Sequence, residues 1–238
     1  MRRLETVRQA WKFLSVVNLF WRVHQVGRTL LVPFYRLVDY LPERGVLLDL
    51  GCGHGVFLAL AKAAKPDLQL IGLDLSIEKI ETARQAFDAL KNGRAQLAAC
   101  DMSNCPEQSV DVISIIDVLY LVPLDKWDSI LKKCYECLRP GGKLLLKEMD
   151  RSITWKFTLL YCEETLAVRV LGLTLGNKVF TFPDNNEIRG RLERAGFEVQ
   201  EVGLDRGHFV PHRLWIGDKL SPCADISGAS RQFQALTT

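Results

Sequence analysis

The sequence lacks an apolar run long enough to cross a membrane as a helix. Its longest uncharged stretch near the start covers residues 13–21, nine positions, whereas a spanning helix needs about 20. A cleaved leader is not expected either, because Glu5 interrupts the basic region and no small-residue cleavage site follows Trp21. We therefore expect a cytoplasmic protein, with peripheral contact at a membrane surface as the alternative.

The sequence also lacks a cysteine framework. Its seven cysteines are odd in number and scattered, which argues against disulfide bonds and for reduced thiols. Cys134 and Cys137 form a close pair, but no second pair or histidine cluster completes a zinc site. Their spacing instead predicts core packing on a helix, and we expect no metal.

A strong charge of one sign is missing as well. The net charge of +3 is too small to indicate nucleic acid as a partner, and the basic residues do not alternate with aromatic residues in a stacking platform. The charge is unevenly placed, however: residues 1–45 hold eight Lys and Arg against three Asp and Glu, so they carry +5 and the remainder −2. This distribution indicates an anionic surface or partner for the N-terminal region.

What the chain does contain is a strand, a glycine turn and a helix in direct succession. Residues 46–50 are apolar and β-branched, as in a buried strand, and residues 56–64 have the composition of a helix. Between them stand Gly51, Gly53 and Gly55. This order is typical of the ligand-binding corner of a doubly wound α/β sheet. A dinucleotide fingerprint would need its third glycine at position 56, which is valine.

The pattern Asp49-x-Gly51-x-Gly53-x-Gly55 resembles the first motif of class I, Rossmann-like S-adenosylmethionine (SAM) methyltransferases. The resemblance covers residues 46–217 and implies SAM as the cofactor. It places Asp49 near the ammonium of SAM, and the turn residues Gly51, Cys52, Gly53 and Gly55 around its methionine end.

Acidic residues after the next two strands extend this implied cofactor site. Asp74 ends the second predicted strand, where this fold recognises ribose hydroxyls, and Leu75 follows it. The resemblance implies that Asp101 accepts a hydrogen bond from the adenine amino group and that Met102 covers the adenine ring. The alternative is that Asp74 only starts a helix and that Asp101 is a turn residue.

The rest of the chain predicts an α/β fold with a doubly wound seven-stranded sheet, mostly parallel, whose last strand the resemblance makes antiparallel. We expect an N-terminal helical extension over residues 1–45 and a SAM-binding domain over 46–220. An apolar helical insert over 151–183 follows strand five, and residues 221–238 are expected to be a disordered tail.

Methyl transfer to oxygen or nitrogen also requires loss of a proton, which a positioned base assists. Asp117 and Tyr120 follow strand four and are the predicted catalytic residues; Asp117 is also assigned to the cofactor site. Four further residues near the strand ends are alternative bases: Glu148, Asp150, His208 and His212.

Two regions outside the resemblance bear on the acceptor. The insert is rich in large apolar residues, which favours either ordinary core or a lid over a small, apolar or lipid-like acceptor. Residues 3–24 have the spacing of one amphipathic helix, with an apolar face at Leu4, Val7, Trp11, Leu14 and Trp21. Its basic and aromatic residues favour a helix in an anionic membrane interface, unless that face packs on the α/β body.

Two further hypotheses about the function remain open from the sequence. One is a non-catalytic, methyltransferase-like partner protein, because no spacing singles out a base. The other is an NAD(P)-dependent reductase of the same fold class, against which the glycine spacing counts. A motif with two prolines after strand four, which amine methyltransferases of nucleic acids use, is absent, so no nucleic acid is expected as acceptor.

Overall fold

The computed structural model describes residues 3–16, 19–90, 94–101, 107–150, 181–204 and 211–221. Within them the strands are β1 Arg44–Leu50, β2 Asp67–Asp74, β3 Ala95–Ala99, β4 Val110–Ile116, β5 Leu138–Met149, β6 Glu198–Gly203 and β7 His212–Asp218. The helices are α1 Arg3–Phe13, α2 Leu19–Leu31, α3 Phe34–Leu37, α4 Val56–Ala64, α5 Ile77–Asp88, α6 Leu124–Cys137 and α7 Asn185–Arg194. The predictions for Met102, His208, the insert between 151 and 180 and the tail from 222 lie outside the described residues.

The seven strands form one sheet in the order β3-β2-β1-β4-β5-β7-β6. β7 runs antiparallel to β5 and β6, and the other neighbours are parallel, which confirms the predicted fold class. The strand order changes direction beside β1, whose residues Leu47–Leu50 pair with residues 112–115 of β4. Ligands of such sheets bind at this switch point, outside the carboxyl ends of the strands.

Helices cover both faces of the sheet. Buried residues of α1, α3, α4 and α5 form the core on one face, and those of α6 and α7 form the core on the other. Cys134 and Cys137 are buried in the second core as free thiols, which confirms their predicted packing role. Strands buried on both faces explain the continuous apolar runs in the sequence.

The N-terminal region differs from the predicted single helix over 3–24. α1 ends at Phe13, a 3-10 turn covers Leu14–Val16, and α2 continues to Leu31. Leu4 and Trp11, which belong to the predicted apolar face, are 83% and 40% exposed. The side of α1 that packs on the body carries Thr6, Ala10 and Phe13.

The first helix, α1, contacts both α2 and α4, and its residue Phe13 packs edge-on against Phe87 of α5, with ring centroids 4.9 Å apart. None of the described helices is long and apolar enough to span a membrane.

Candidate functional site

The glycine turn after β1 is held to the end of β2 by backbone hydrogen bonds. The N–H groups of Gly51 and Cys52 both donate to the carbonyl of Leu73, at 2.7 and 3.0 Å. Gly51 has a φ of +75°, and a Cβ there would collide with the Val118 side chain. Gly51 is therefore required both for its conformation and for its close approach to the loop after β4.

Gly53 is different, because a Cβ at this position would meet no heavy atom within 4 Å. Its φ of +54° favours glycine, but packing within the described chain does not demand it. Gly53 faces open space that belongs to a cavity of about 50 Å³. A glycine next to an open cavity is the arrangement that lets a ligand approach the backbone closely.

The walls of this cavity come from distant parts of the chain. Asp49, Gly51, Cys52 and Gly53, all predicted site residues, line one side. The sequence reasoning missed the remaining lining residues, which are Gln25 of α2, Phe34 of α3, His54, Val56, Phe57, Lys79 of α5 and Ile116. Their position beside the turn glycines was a local signal for His54, Val56 and Phe57, whereas no motif connects Gln25 or Phe34 to the turn.

Asp49 is a buried carboxylate at the end of β1, 3% exposed. Its Oδ1 accepts a hydrogen bond of 2.6 Å from Ser114 Oγ, on the neighbouring strand β4 in register with it. A buried carboxylate requires such polar partners, and this bond fixes the orientation of the side chain. The structure therefore presents a preoriented negative charge at the cavity.

Asp74 has a structural role that the sequence did not reveal. Its Oδ2 accepts from the N–H of Gly53 and its Oδ1 from the N–H of Ser76, both at 2.9 Å. The same carboxylate thus joins the glycine turn to the start of α5, where Ser76 Oγ accepts from the N–H of Lys79. A carboxylate offers about four acceptor positions, so these two bonds leave capacity for the predicted contact with hydroxyl groups.

Cys52, which the prediction also placed in the glycine turn, is buried and lines the cavity. Burial raises the pKa of its thiol well above the ordinary value, and the nearby Asp49 and Asp74 raise it further. The thiol therefore stays protonated and does not act as a nucleophile at neutral pH.

Two predicted cofactor residues are exposed and are not among the residues that line this cavity. Leu75 is 61% exposed beside Asp74, and Asp101 is exposed after β3. Their neighbour Met102 is outside the described residues.

Asp117 is bound to Lys147 in the structure. It has an unusual φ of +54°, and its N–H donates to the carbonyl of Lys147 at 3.0 Å. Its Oδ1 also forms an ion pair with the Nζ of Lys147, which is fully buried. Removing Asp117 would leave a buried ammonium without this counter-charge, so the carboxylate has a structural role whatever its part in catalysis.

Glu148 stands out among the alternative bases. It is 3% exposed, and its Oε1 accepts from the N–H groups of Val118 and Leu119 at 3.2 and 2.8 Å. Its Oε2 is buried and has no hydrogen-bond partner within the described chain. Burial raises the pKa of this carboxyl to about 8, assisted by the charge of Asp117. Glu148 therefore retains a proton at neutral pH next to the loop that carries Tyr120.

Tyr120 is buried in the 3-10 turn Leu119–Leu121, which follows β4. Its ring stacks on Phe182, with centroids 5.2 Å apart and an interplanar angle of 9°. Its carbonyl accepts from the N–H of Thr181 at 2.8 Å. Tyr120 thus connects the loop after β4 to the last residues of the predicted insert.

Asp150 and His212 are the two remaining base candidates within the described residues. Asp150 follows β5 and contacts β7, and His212 is the first residue of β7. Asp150 accepts from Arg213 at 2.9 Å and from Asn185 Nδ2 at 2.8 Å, and His212 is buried at the start of β7. These contacts give Asp150 a structural role in joining β5, β7 and α7. Within the residues that the structure describes, no cluster of His, Cys, Asp or Glu could hold a metal ion.

Taken together, an α/β sheet of this order with a cavity at a glycine turn defines a class of enzymes that bind a nucleoside-containing cofactor. A family model described as a methyltransferase domain matches residues 22–202. The chain belongs to the class I SAM-dependent methyltransferase family, as the sequence pattern predicted, and SAM is the cofactor of that family.

Individual relatives are moderately similar. The tRNA N(3)-methylcytidine methyltransferase Mettl2 of Drosophila melanogaster is 30% identical over 190 residues, which are 73% of this chain and 57% of that protein. The ubiquinone biosynthesis O-methyltransferase of Idiomarina loihiensis is 31% identical over 126 residues, covering 50% of this chain and 49% of that protein. The chain thus spans about half the length of these curated relatives.

Among solved structures, the SAM-dependent methyltransferase SibL in its apo form aligns with a TM-score of 0.67 at 21% identity. The alignment covers 87% of this chain and 61% of SibL. At this level of identity the similarity supports the fold alone.

Proposed function

We propose that this chain transfers the methyl group of SAM to a small, apolar, lipid-like acceptor. Family membership supports the reaction. The observation that carries the site is the cavity at Gly53, where glycine backbone and the preoriented carboxylate of Asp49 meet open space.

The residues at this cavity fit the chemistry of SAM, which carries an ammonium, a carboxylate and ribose hydroxyls. Asp49 supplies a buried negative charge for the ammonium, and the remaining acceptor positions of Asp74 suit the hydroxyls. Bound SAM supplies a methyl group that is already activated on a sulfonium. The contribution of the chain is then mainly positioning and exclusion of water.

The acceptor side of the site lies beyond the carboxyl end of β4, where Ile116 lines the cavity and Asp117 follows. Glu148 holds the amides of Val118 and Leu119, and so fixes the turn that contains Tyr120. We assign Tyr120 to contact with the acceptor and Glu148 to positioning of this turn.

Three observations support an apolar acceptor. The sequence of the predicted insert is rich in large apolar side chains. The N-terminal helices expose apolar side chains, which fits peripheral contact of residues 1–24 with a membrane. One relative is named for ubiquinone biosynthesis. Another is named for methylation of tRNA, so tRNA is the second acceptor class to test.

Incubation of the full chain with methyl-labelled SAM tests the proposal directly. Separate reactions would contain a total lipid extract, total tRNA or no acceptor. We expect label in an organic-soluble product from the lipid reaction alone. Label in tRNA alone would contradict a lipid-like acceptor and identify tRNA as the acceptor. Binding of SAM without label in any reaction would favour the non-catalytic partner protein over an enzyme.

A further inference from the structure

Among the side chains that the structure describes, the N-terminal helix pair exposes four large apolar ones to solvent. Leu4 and Trp11 of α1 are 83% and 40% exposed, and Leu19 and Val23 of α2 are 68% and 55% exposed. In contrast, Thr6, Ala10 and Phe13 are buried on the other side of α1. Because α1 already packs through its buried side, its exposed apolar residues are not needed for that packing.

Contacts of Arg22 join the exposed residues of the two helices into one surface. The guanidinium of Arg22, in α2, lies 3.9 Å from the centroid of the Trp11 ring. It also donates two hydrogen bonds to the carbonyl of Trp11, at 2.7 and 3.1 Å. Leu19 and Val23 lie on the same side of α2, and Leu19 is also a neighbour of Arg22, since residues three and four apart are neighbours on a helix.

Basic side chains border this surface. Arg8 and Lys12 are exposed on the same side of α1 as Leu4 and Trp11. We name these six residues the outer face: Leu4, Arg8, Trp11, Lys12, Leu19 and Val23. Helices that combine apolar and basic residues in this way bind at the headgroup region of anionic bilayers.

We propose that the outer face docks on an anionic lipid bilayer. A second copy of the chain fits less well, because its own Arg8 and Lys12 would repel those of the first. Single-stranded nucleic acid also fits less well, because it is held by aromatic stacking and three of the four apolar side chains are aliphatic. A bilayer satisfies both components, since aliphatic and aromatic side chains enter the interface and the basic residues meet lipid phosphates.

Docking would bring the cofactor cavity to the membrane. Val23 belongs to the outer face, whereas Gln25 lines the cavity, and at 3.6 residues per turn they lie about 160° apart around α2. The same helix therefore has one side at the bilayer and the other at the cofactor site. This step rests on the proposed function, because delivery of an acceptor from a membrane is useful only if the acceptor is lipid-like.

Vesicle flotation of the full chain tests the proposal without any methyl transfer. The vesicles would contain phosphatidylcholine alone or phosphatidylcholine with phosphatidylglycerol. We expect the wild-type chain to float with the anionic vesicles and to remain at the bottom with the neutral ones. Each basic side chain at such a surface changes the affinity about fivefold, so Arg8→Gln with Lys12→Gln should weaken binding about 25-fold.

A second variant with Leu4→Gln, Leu19→Gln and Val23→Gln should also lose flotation while its charge stays unchanged. Matched controls change exposed residues elsewhere, namely Lys126→Gln with Lys132→Gln on α6, and Leu220→Gln after β7. Circular dichroism and SAM calorimetry on every variant show whether the fold and the cofactor site are retained.

Absence of flotation by folded wild-type chain would overturn the proposal, as would an equal loss in the control variants. Binding to RNA at Arg8 and Lys12 without binding to vesicles would assign the outer face to nucleic acid instead. Flotation by a wild-type chain that does not bind SAM would support docking and contradict the proposed function, so the two failures are distinguishable.

Discussion

At the scale of single residues, Gly51 and Gly53 separate the folding role of the glycine turn from its ligand role. Gly51→Ala drives a Cβ into Val118 at a positive φ, so we expect a marked loss of folded protein. Gly53→Ala meets no atom and should cost only about 1–2 kcal/mol for its left-handed conformation.

Gly53→Ala should nevertheless weaken SAM binding at least about tenfold, because the added methyl group occupies the cavity. Thermal unfolding and calorimetry on both variants check this pair of outcomes. If folded Gly53→Ala protein bound SAM with wild-type affinity, we would conclude that SAM does not contact this turn.

Asp74 combines a structural and a predicted binding role, which a neighbouring variant separates. Asp74→Ala removes the acceptor for Gly53 and Ser76 and should lower both stability and SAM affinity, the latter at least about tenfold. Ser76→Ala keeps the carboxylate and removes only the helix cap, at a cost of about 1 kcal/mol. Its SAM affinity should match the wild type. Equal loss of affinity in both variants would mean that Asp74 acts only through the fold.

Glu148 gives the stability a specific pH dependence. Its pKa rises from 4.5 to about 8 on burial, with Asp117 as the second cause. Between these values the unfolded chain releases a proton that the folded chain retains. The free energy of unfolding should therefore fall as the pH rises from 4.5 to 8, by roughly 3–5 kcal/mol from this group.

Urea unfolding at pH 5 and pH 8 measures this dependence. Glu148→Gln, which keeps an oxygen for the two amides, should flatten the decrease. Glu81→Gln, a change at an exposed glutamate of α5, should leave it intact. An unchanged decrease in Glu148→Gln would show that the carboxyl ionises normally in the folded chain.

At the scale of elements, the turn after β4 connects the site to the last residues of the predicted insert. Tyr120→Phe retains the ring that stacks on Phe182 and removes only the hydroxyl. We expect a fall in turnover with SAM affinity within a few-fold of the wild type. Steady-state kinetics and calorimetry check this. Parallel losses of turnover and SAM affinity would identify Tyr120 as a cofactor or folding residue.

The central elements could be predicted from sequence because their signals are local. Strands such as Val110–Ile116 are continuous apolar runs, and the turn glycines identify the corner between β1 and α4. The buried side of α1 could not be predicted, because Leu4 and Trp11 offer a stronger apolar pattern than Thr6 and Ala10. Which side of α1 is buried depends on its contacts with α2 and α4, and the sequence of α1 alone does not reveal these contacts.

The candidate site was predictable only in part for a similar reason. Its acidic and glycine residues stand at strand ends, where the fold itself concentrates ligand contacts. Gln25 and Phe34 reach the cavity from helices that no motif connects to the turn. The structural roles of Asp74 and Asp117 depend on contacts with Gly53 and Lys147, which are distant in the sequence, so the sequence did not reveal them.

At the scale of the whole molecule, α2 lies between the cavity at the glycine turn, which Gln25 lines, and the exposed side that carries Leu19 and Val23. The cofactor cavity lies against the sheet, and the outer face of α1 and α2 is exposed. This arrangement gives a physical reason for a basic N-terminal region on a mildly acidic body.

Titration of the full chain by calorimetry is the most direct test of whether the cavity at the glycine turn binds SAM. We expect saturable binding of SAM at one site per chain and no binding of NADH under the same conditions. Folded chain that takes up NADH, or that gives no binding heat with SAM and no shift of its melting temperature, would contradict SAM binding at this cavity.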